Sequence, residues 1–370
     1  LSMPAITFSY KTFDAGWNAG QVKLPDETQL GPFTYLADVN NDGYVDILRH
    51  YYLGDYQYVR HSFLGNAQGW SETSQWYPPE GLSFGWPAGT LRDNGVRMVD
   101  VNGDGWVDMV SHIHNNAGAC TSAVYLNNKT NGWVRDDSWR TPEDTFIICN
   151  VHVGVPTEYR VYMGVVFVDV NADGYVDIVR AQGTTRFTYI NTHSGWQLDS
   201  AWTMPAGDLS DGSTQFCDVN ADGLLDFMVL TSTSRLVYLN TGSGWQREQV
   251  LEPTVGDFSD GSTQVIDVNE DGLADLVIAS SALRKTYLNT GYKGAHWQEV
   301  TNLALPAGAL LNYGSRLNDT LGKATPDLLY NPSNERMVYE NRAKNSDVLT
   351  QVSNGLGGSL QVTYTSSVTF

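Results

Sequence analysis

Nine residues recur five times in this chain of 370 with little change: DVNNDGYVD from Asp38, DVNGDGWVD from Asp100, DVNADGYVD from Asp169, DVNADGLLD from Asp218 and DVNEDGLAD from Asp267. The shared pattern is D-x-N-x-D-G-x-x-D. A chain that repeats one loop builds one local unit again and again, and such units bury a continuous core only by stacking on one another. The pattern also carries a chemistry. It sets hard oxygen donors at positions 1, 3, 5 and 9, with a glycine at 6 free to take the positive φ of a tight curl. Ca²⁺ takes six to eight oxygens in a flexible shell, which a short loop supplies by curling around the ion.

In the first loop the donors are the side chains of Asp38, Asn40, Asp42 and Asp46 and the backbone carbonyl of Tyr44. The second uses Asp100, Asn102, Asp104, Trp106 and Asp108; the third Asp169, Asn171, Asp173, Tyr175 and Asp177. The fourth uses Asp218, Asn220, Asp222, Leu224 and Asp226; the fifth Asp267, Asn269, Asp271, Leu273 and Asp275. Three carboxylates in one short loop repel one another unless a cation neutralises them. About five Ca²⁺ ions are therefore expected. An all-oxygen set without Cys or His disfavours Zn²⁺, and Mg²⁺ keeps more of its own water than these loops leave room for. At a sixth place Asp319, Leu321, Lys323 and Asp327 stand where ligands belong. Leu321 has no donor and Lys323 brings its own charge, so no Ca²⁺ is expected there; the ammonium partly stands in for it.

The first six positions are those of an EF-hand loop, but the flanks are not. An EF-hand needs a bidentate Glu at position 12 and a helix on either side. Here short β-branched and apolar runs lead in (Val165 to Val168) and out (Phe227 to Val229), which reads as two strands joined by the loop. A second marker follows each strand pair: Gly-Trp after Tyr-x-Asn, as in YLNTGSGW ending at Trp245. Counting Trp17, Trp70, Trp133, Trp196, Trp245 and Trp297, each ahead of one Asp loop, gives six units. These tryptophans read as repeat-fixed packing residues. The gaps from Trp70 to Asp100 and from Trp133 to Asp169 are longer than the rest, so those units carry insertions. A loop-to-loop spacing of about 50 in the later units fits one four-stranded propeller blade. The reading is an all-β propeller of six blades, with seven as the alternative, closed by strands from both termini. Residues 1–342 form the ring and 343–370 a strand segment leaving it. A Tyr-x-Asn strand at Tyr339 and Asn341 duplicates the N-terminal one, leaving one surplus.

The formal charge is −19. The loop aspartates carry most of the excess, so the acidity is largely a metal signature. It argues against nucleic acid, which needs a basic surface. No apolar run reaches the roughly 20 residues of a membrane span, and no signal peptide opens the chain. Of the three cysteines, Cys217 precedes Asp218 on a core strand and reads as a free buried thiol, while Cys120 and Cys149 lie in the insertions, with a disulfide between them left open. Loops of this kind bind at about 10⁻⁴ to 10⁻³ M, which matches extracellular calcium; the expected location is extracellular or at the cell surface.

The Asp loops set in apolar strands resemble FG-GAP or VCBS calcium-loop repeats. YLNTGSGW followed by DVNxDGLxD resembles the propellers of secreted RHS/YD-repeat and Tc-toxin B-type proteins. The tail, Asp347-Val348-Leu349-Thr350 with Asn354-Gly355-Leu356-Gly357-Gly358 and Val362-Thr363-Tyr364, is similar to the segment that leaves the ring in those proteins. The resemblance implies a secreted or surface-delivered, non-catalytic module that docks a protein partner. A carbohydrate-binding lectin is the alternative, since some such propellers stack sugars on aromatics. Trp76, Tyr77, Trp86 and Trp139, beside the insertions, are the candidate ligand-binding aromatics. There is no GxSxG, HExxH or P-loop, and His112-Ile113-His114 reads as part of a polar insertion, so no enzyme is expected.

Overall fold

A computed structural model gives the architecture. It describes residues 7–10, 16–20, 22–25, 34–54, 57–80, 82–86, 92–93, 95–114, 120–142, 145, 164–292, 296–308, 310, 315–320, 322–323, 325–331, 336–343, 349–353 and 359–362. The chain is a six-bladed β-propeller of antiparallel sheets. From the inner strand outward, blade one is Thr34–Ala37, Asp46–Gly54, Gln57–Asn66 and Gly69–Glu72. Blade two is Val96–Val99, Asp108–His114, Cys120–Asn127 and Trp133–Arg135. Blade three is Val165–Val168, Asp177–Gln182, Thr185–Asn191 and Trp196–Leu198. Blade four is Thr214–Cys217, Asp226–Leu230, Arg235–Asn240 and Trp245–Arg247. Blade five is Thr263–Ile266, Asp275–Ala279, Arg284–Asn289 and Trp297–Val300.

Blade six closes the ring. Its inner three strands, Ser315–Asn318, Asp327–Tyr330 and Met337–Asn341, come from the C-terminal part, and its outer strand is Trp17–Ala19. Trp17 pairs with Asn341 and Ala19 with Tyr339. The Tyr339–Asn341 strand is thus not surplus. The displaced strand is Thr7–Tyr10, which leaves the ring and pairs with Leu349–Ser353 in a small sheet completed by Ser359–Gln361.

Each blade's second strand is sandwiched between two neighbours, which explains its continuous apolar run. All five residues of Asp226–Leu230 and of Asp275–Ala279 are buried. The core is accordingly six separate layers between blades. One joins Val219, Met228 and Val237 of blade four to Val265 and Leu276 of blade five through Leu251 and Phe258 of the linker. Each such side chain contributes about 1.5–3 kcal/mol through burial. The glycine before the repeat tryptophan has a local cause: Gly16, Gly69, Gly132, Gly195 and Gly244 have φ between 127° and 150°, which a Cβ disfavours.

Sequence spacing places the enlargements only in part. Between Trp70 and Asp100 the chain adds the short strands Gly85–Trp86 and Arg92–Asp93 to blade one, Gly85 pairing in parallel with Tyr51. The central hairpins of blades one and two are also longer than those of blades four and five. Most of the insertion before Asp169, including Cys149, lies outside the described residues, as does the side chain of Cys120. Cys217 is buried, and burial pushes its thiol well above the ordinary range.

Candidate metal loops

Every Asp loop joins the first strand of a blade to its second, so all five lie at the same end of their blades. Within the first, Asp38 accepts from the N–H of Asp42 (3.1 Å) and of Gly43 (2.8 Å). Asn40 Oδ1 accepts from Asp42 N, and Asp42 Oδ1 from Tyr44 N at 2.9 Å. The same bonds recur around Asp100, Asp169, Asp218 and Asp267. Short Asx side chains are suited to this, because they cap backbone N–H groups two to five residues ahead. The glycine at position 6 takes φ of 83° to 88° throughout.

Position 9 behaves differently. Asp46, Asp108, Asp177, Asp226 and Asp275 are fully buried. One oxygen of each accepts from the N–H at position 2 of its own loop, as in Val219 N to Asp226 Oδ2 at 3.0 Å. The other accepts from the third strand, as in Asn240 N to Asp226 Oδ1 at 2.7 Å. Burial, reinforced by the carboxylates at positions 1 and 5, pushes Asp46, Asp108, Asp177 and Asp226 up to about 7. Asp275 is likewise raised well above the ordinary carboxylate range by burial. Burial also raises Asp38 and Asp267.

That third-strand asparagine is the Asn of the Tyr-x-Asn marker, and its side chain crosses to the preceding blade. Asn127 Nδ2 donates to Val39 O (2.8 Å), Asn191 to Val101 O (2.9 Å) and Asn240 to Val170 O (2.7 Å). Asn289 donates to Val219 O (2.7 Å) and Asn341 to Val268 O (2.8 Å). The valine in each case is position 2 of a loop. Buried Asp, Asn and Val therefore tie each loop to the next blade. Local sequence reading marks Tyr-x-Asn as a strand and misses this reach across some 70 to 90 residues.

These loops fit a hard divalent cation by donor chemistry: carboxylate, amide and peptide oxygens only. Each oxygen that accepts one N–H keeps a further lone pair. Among the described residues no three His, Cys, Asp or Glu side chains stand together as a ready-made metal group. Two side chains crowd individual loops. Lys129 Nζ lies 3.2 Å from Asp104, and His193 Nε2 lies 3.8 Å from Asp173 while its ring stacks on Tyr175.

The sixth loop replaces the pattern. Asp319 accepts from Lys323 N at 2.9 Å, and Lys323 Nζ donates to Glu340 at 2.9 Å. Asp327, buried like its counterparts, is pushed up to about 7 by burial, with the Lys323 charge opposing the rise. Its Oδ1 holds Asn341 N, while Oδ2 has no hydrogen-bond partner among the described residues. Glu340, unnoticed in the sequence, is the main partner of the ammonium. Leu321 lies outside the described residues.

The candidate ligand-binding aromatics separate. Trp76 (2% exposed) and Trp139 (9%) are core residues. Both sit six residues after a repeat tryptophan, the register shared by Trp202, Leu251 and Leu303. Their carbonyls receive the indole N–H of the next blade: Trp133 to Trp76 O, Trp196 to Trp139 O, Trp245 to Trp202 O. Single 3₁₀ turns capped by Asp136 and Asp199 aim Trp139 and Trp202 inward. Trp76 and Trp139, expected as ligand-binding aromatics, thus stand in the repeat register, and burial takes their rings away from a solvent-borne ligand. Tyr77 is half-buried, under the Arg60 guanidinium and bonded to Glu72. Trp86 has its backbone in Gly85–Trp86, and its side chain lies outside the described residues. His112 is on a buried strand rather than in a loop, against Thr141.

Comparison with known proteins agrees with this architecture. Residues 218–278, spanning loops four and five, match the FG-GAP-like repeat model. No curated protein matches the chain. Among solved structures, it is similar to a chain of the Photorhabdus luminescens Tc holotoxin pore carrying the TccC3-D651A mutation, at 19% identity and TM-score 0.61. That match covers 96% of this chain and 16% of that one. A lectin of Agrocybe aegerita that recognises non-reducing terminal N-acetylglucosamine is similar at 16% identity and TM-score 0.54, covering 86% of this chain and 79% of the lectin. TcdB2-TccC3 is similar at 15% identity and TM-score 0.51, covering 96% and 16%. The chain thus spans about a sixth of the toxin chains it resembles.

Proposed function

With six blades carrying FG-GAP-like loops as the premise, we propose that the chain is a calcium-stabilised, non-catalytic binding propeller that docks a protein partner outside the cell or at its surface. The observation that carries the calcium reading is the contrast among six equivalent loops. Five offer only oxygen donors around a buried aspartate, and the sixth, which lacks the donors of positions 3 and 5, carries a lysine at position 5 instead. Position 1, 3, 5 and 9 side chains and the position 7 carbonyl would hold the ion. When bound, it supplies the positive charge that lets three carboxylates pack together. The chain's own contribution is to pre-shape the loop through Asx bonds and to fix position 9 by two backbone N–H groups.

A protein partner is favoured over a glycan because Trp76 and Trp139 are spent on the core. The likeness to a holotoxin component, a protein that works inside an assembly, points the same way. The lectin reading draws on the second likeness, in which a ring of this kind makes up most of a sugar-recognising chain. Melting in about 1 mM calcium and again in EDTA tests the metal; a melting temperature unmoved by EDTA, with no calcium retained on dialysis, would overturn it. A glycan array run in both buffers decides the partner class. Reproducible sugar hits lost in Trp86→Ala or Tyr77→Ala would replace the protein reading with the lectin.

A further inference from the structure

The loops touch one another, and always in one direction. Asn240, bonded through its N–H to Asp226 of loop four, holds Val170 O of loop three with its side chain, and Val170 N in turn binds Asp177. Position 9 of one loop is therefore joined to position 9 of the preceding loop by a buried run of hydrogen bonds. A second contact is independent of asparagine: Ala274 N, in loop five, donates to the backbone oxygen of Asp218, position 1 of loop four, at 3.2 Å. A third is steric. The Tyr175 ring of loop three covers Gly103 of loop two so closely that a Cβ there would stand 2.2 Å from Cε1. In every case the later loop braces the earlier one.

The arc has two unlike ends. Blade six braces loop five through Asn341, and its own loop carries a covalent cation, Lys323, paired with Glu340. At the other end blade one carries Gly65 where an asparagine would reach back to loop six. A Cβ at Gly65 would lie 2.5 Å from Val45 O, so no side chain fits. Loop five is thus held by a partner that needs no ion, while each earlier loop is held by one that does.

We propose that the five loops form one coupled series, filled by divalent calcium from blade five toward blade one, with the lysine-bearing sixth loop as its fixed starting end. Ordering one loop fixes its position 9 aspartate, which fixes the asparagine, which holds the loop before it. The inference rests on the calcium reading above, but its coupling half is testable without metal. By linkage, bracing and filling strengthen each other equally in both directions.

Hydrogen exchange read by mass spectrometry in EDTA compares the native chain with Asn240→Ala and with Asn240→Leu, which keeps the volume if the smaller side chain unfolds the blade. Loss of the buried bond to Val170 O should speed exchange in residues 169–177 about tenfold and leave 267–275 unchanged. Unchanged exchange in 169–177, or an equal rise in all five loops, would overturn the coupling. Calcium titration followed by the same readout should protect 267–275 at the lowest concentration and 38–46 at the highest. Asp271→Asn, on the exposed rim of loop five, should raise the concentration needed to protect loops four and three about fivefold or more. Equal midpoints in all loops, unaffected by Asp271→Asn, would sink the series while leaving calcium binding intact. Calcium that protects no loop would sink both readings.

Discussion

Five of the six blade junctions share one construction, and the junction between blade six and blade one does not. At each of the five, an asparagine amide donates across to the preceding loop, and a repeat tryptophan donates to the preceding linker, the series running to Trp297 with Leu251 O and Trp17 with Leu303 O. At the sixth, the asparagine is Gly65, and Trp70 turns to Val45 O of its own blade. Among the described residues the core there is also the smallest, with Leu24, Ile47, Phe63 and Leu329 buried. One polar contact at the seam is Arg316 to Thr34 O at 3.2 Å. The difference teaches that the ring is not six-fold in strength. Latching follows the Asp loops, and where the loop loses its donors the latch goes with it.

Removing the proposed calcium attacks the stronger side of this comparison and has the largest expected effect. At a Kd ten times below ambient calcium each proposed site would contribute about 1.4 kcal/mol, so five together would stabilise by about 7 kcal/mol. EDTA should lower the melting temperature by many degrees and bring exchange at the five latched junctions toward that of the seam. A seam that remains distinctly less protected in EDTA would place the asymmetry in the latches alone.

Cutting position 9 sharpens the comparison within one chemistry. Asp226→Ala strips the buried N–H groups of Val219 and Asn240 of their acceptor, at about 1–3 kcal/mol each. Among the described residues Asp327→Ala strips only Asn341, because Oδ2 has no partner there. Urea unfolding in EDTA should therefore rank Asp226→Ala as the more destabilising, and an equal loss would show that the sixth loop is held as tightly as the rest.

Acid tests the blade on the other side of the seam. His50 of blade one is buried beside Phe84 and Tyr58, where blades three to five have Ala181, Leu230 and Ala279. Burial, aided by the nearby Arg60 charge, lowers it from 6.5 to about 4. Its folded value lies below its unfolded one, so the unfolded chain binds the proton first. Stability is lost as pH falls from about 6.5 to about 4, by about 3 kcal/mol in all. The buried aspartates shift the opposite way, so the measurement is the difference between the native chain and His50→Leu across that window. Parallel curves would mean that His50 is not held neutral.

The sequence shows the sixfold repeat and the loop donors because both are local: an Asx or Gly within nine residues is fixed by the curl it makes. It shows the closure of blade six as well, since the repeat breaks in the middle of a unit at each end. What it hides is long-range. Asn127 and Val39 lie 88 residues apart, and nothing in either motif records the bond. Trp76 and Trp139 are similarly obscured, because of their register partners only Trp202 keeps the indole, while Leu251 and Leu303 share only apolarity. Position 9 looks like one more ligand, while the fold also uses it as the acceptor that joins two strands.

The smallest expected effect separates the tryptophan latch from the asparagine latch. Trp245→Phe keeps an aromatic ring against Phe227, whose centroid lies 4.9 Å away, but removes the N–H that meets Trp202 O at 3.0 Å. That carbonyl keeps its bond from Thr188 Oγ1 at 2.8 Å, so losing the indole N–H costs about 0.5–1.5 kcal/mol. Trp70→Phe removes a bond that never crossed a junction. Both substitutions should destabilise by similar amounts in urea, yet only Trp245→Phe should loosen the blade three to blade four boundary in hydrogen exchange. If Trp70→Phe loosens the six-to-one seam as much, then Val45 O is itself part of that junction, and the seam has a latch of its own built from one blade.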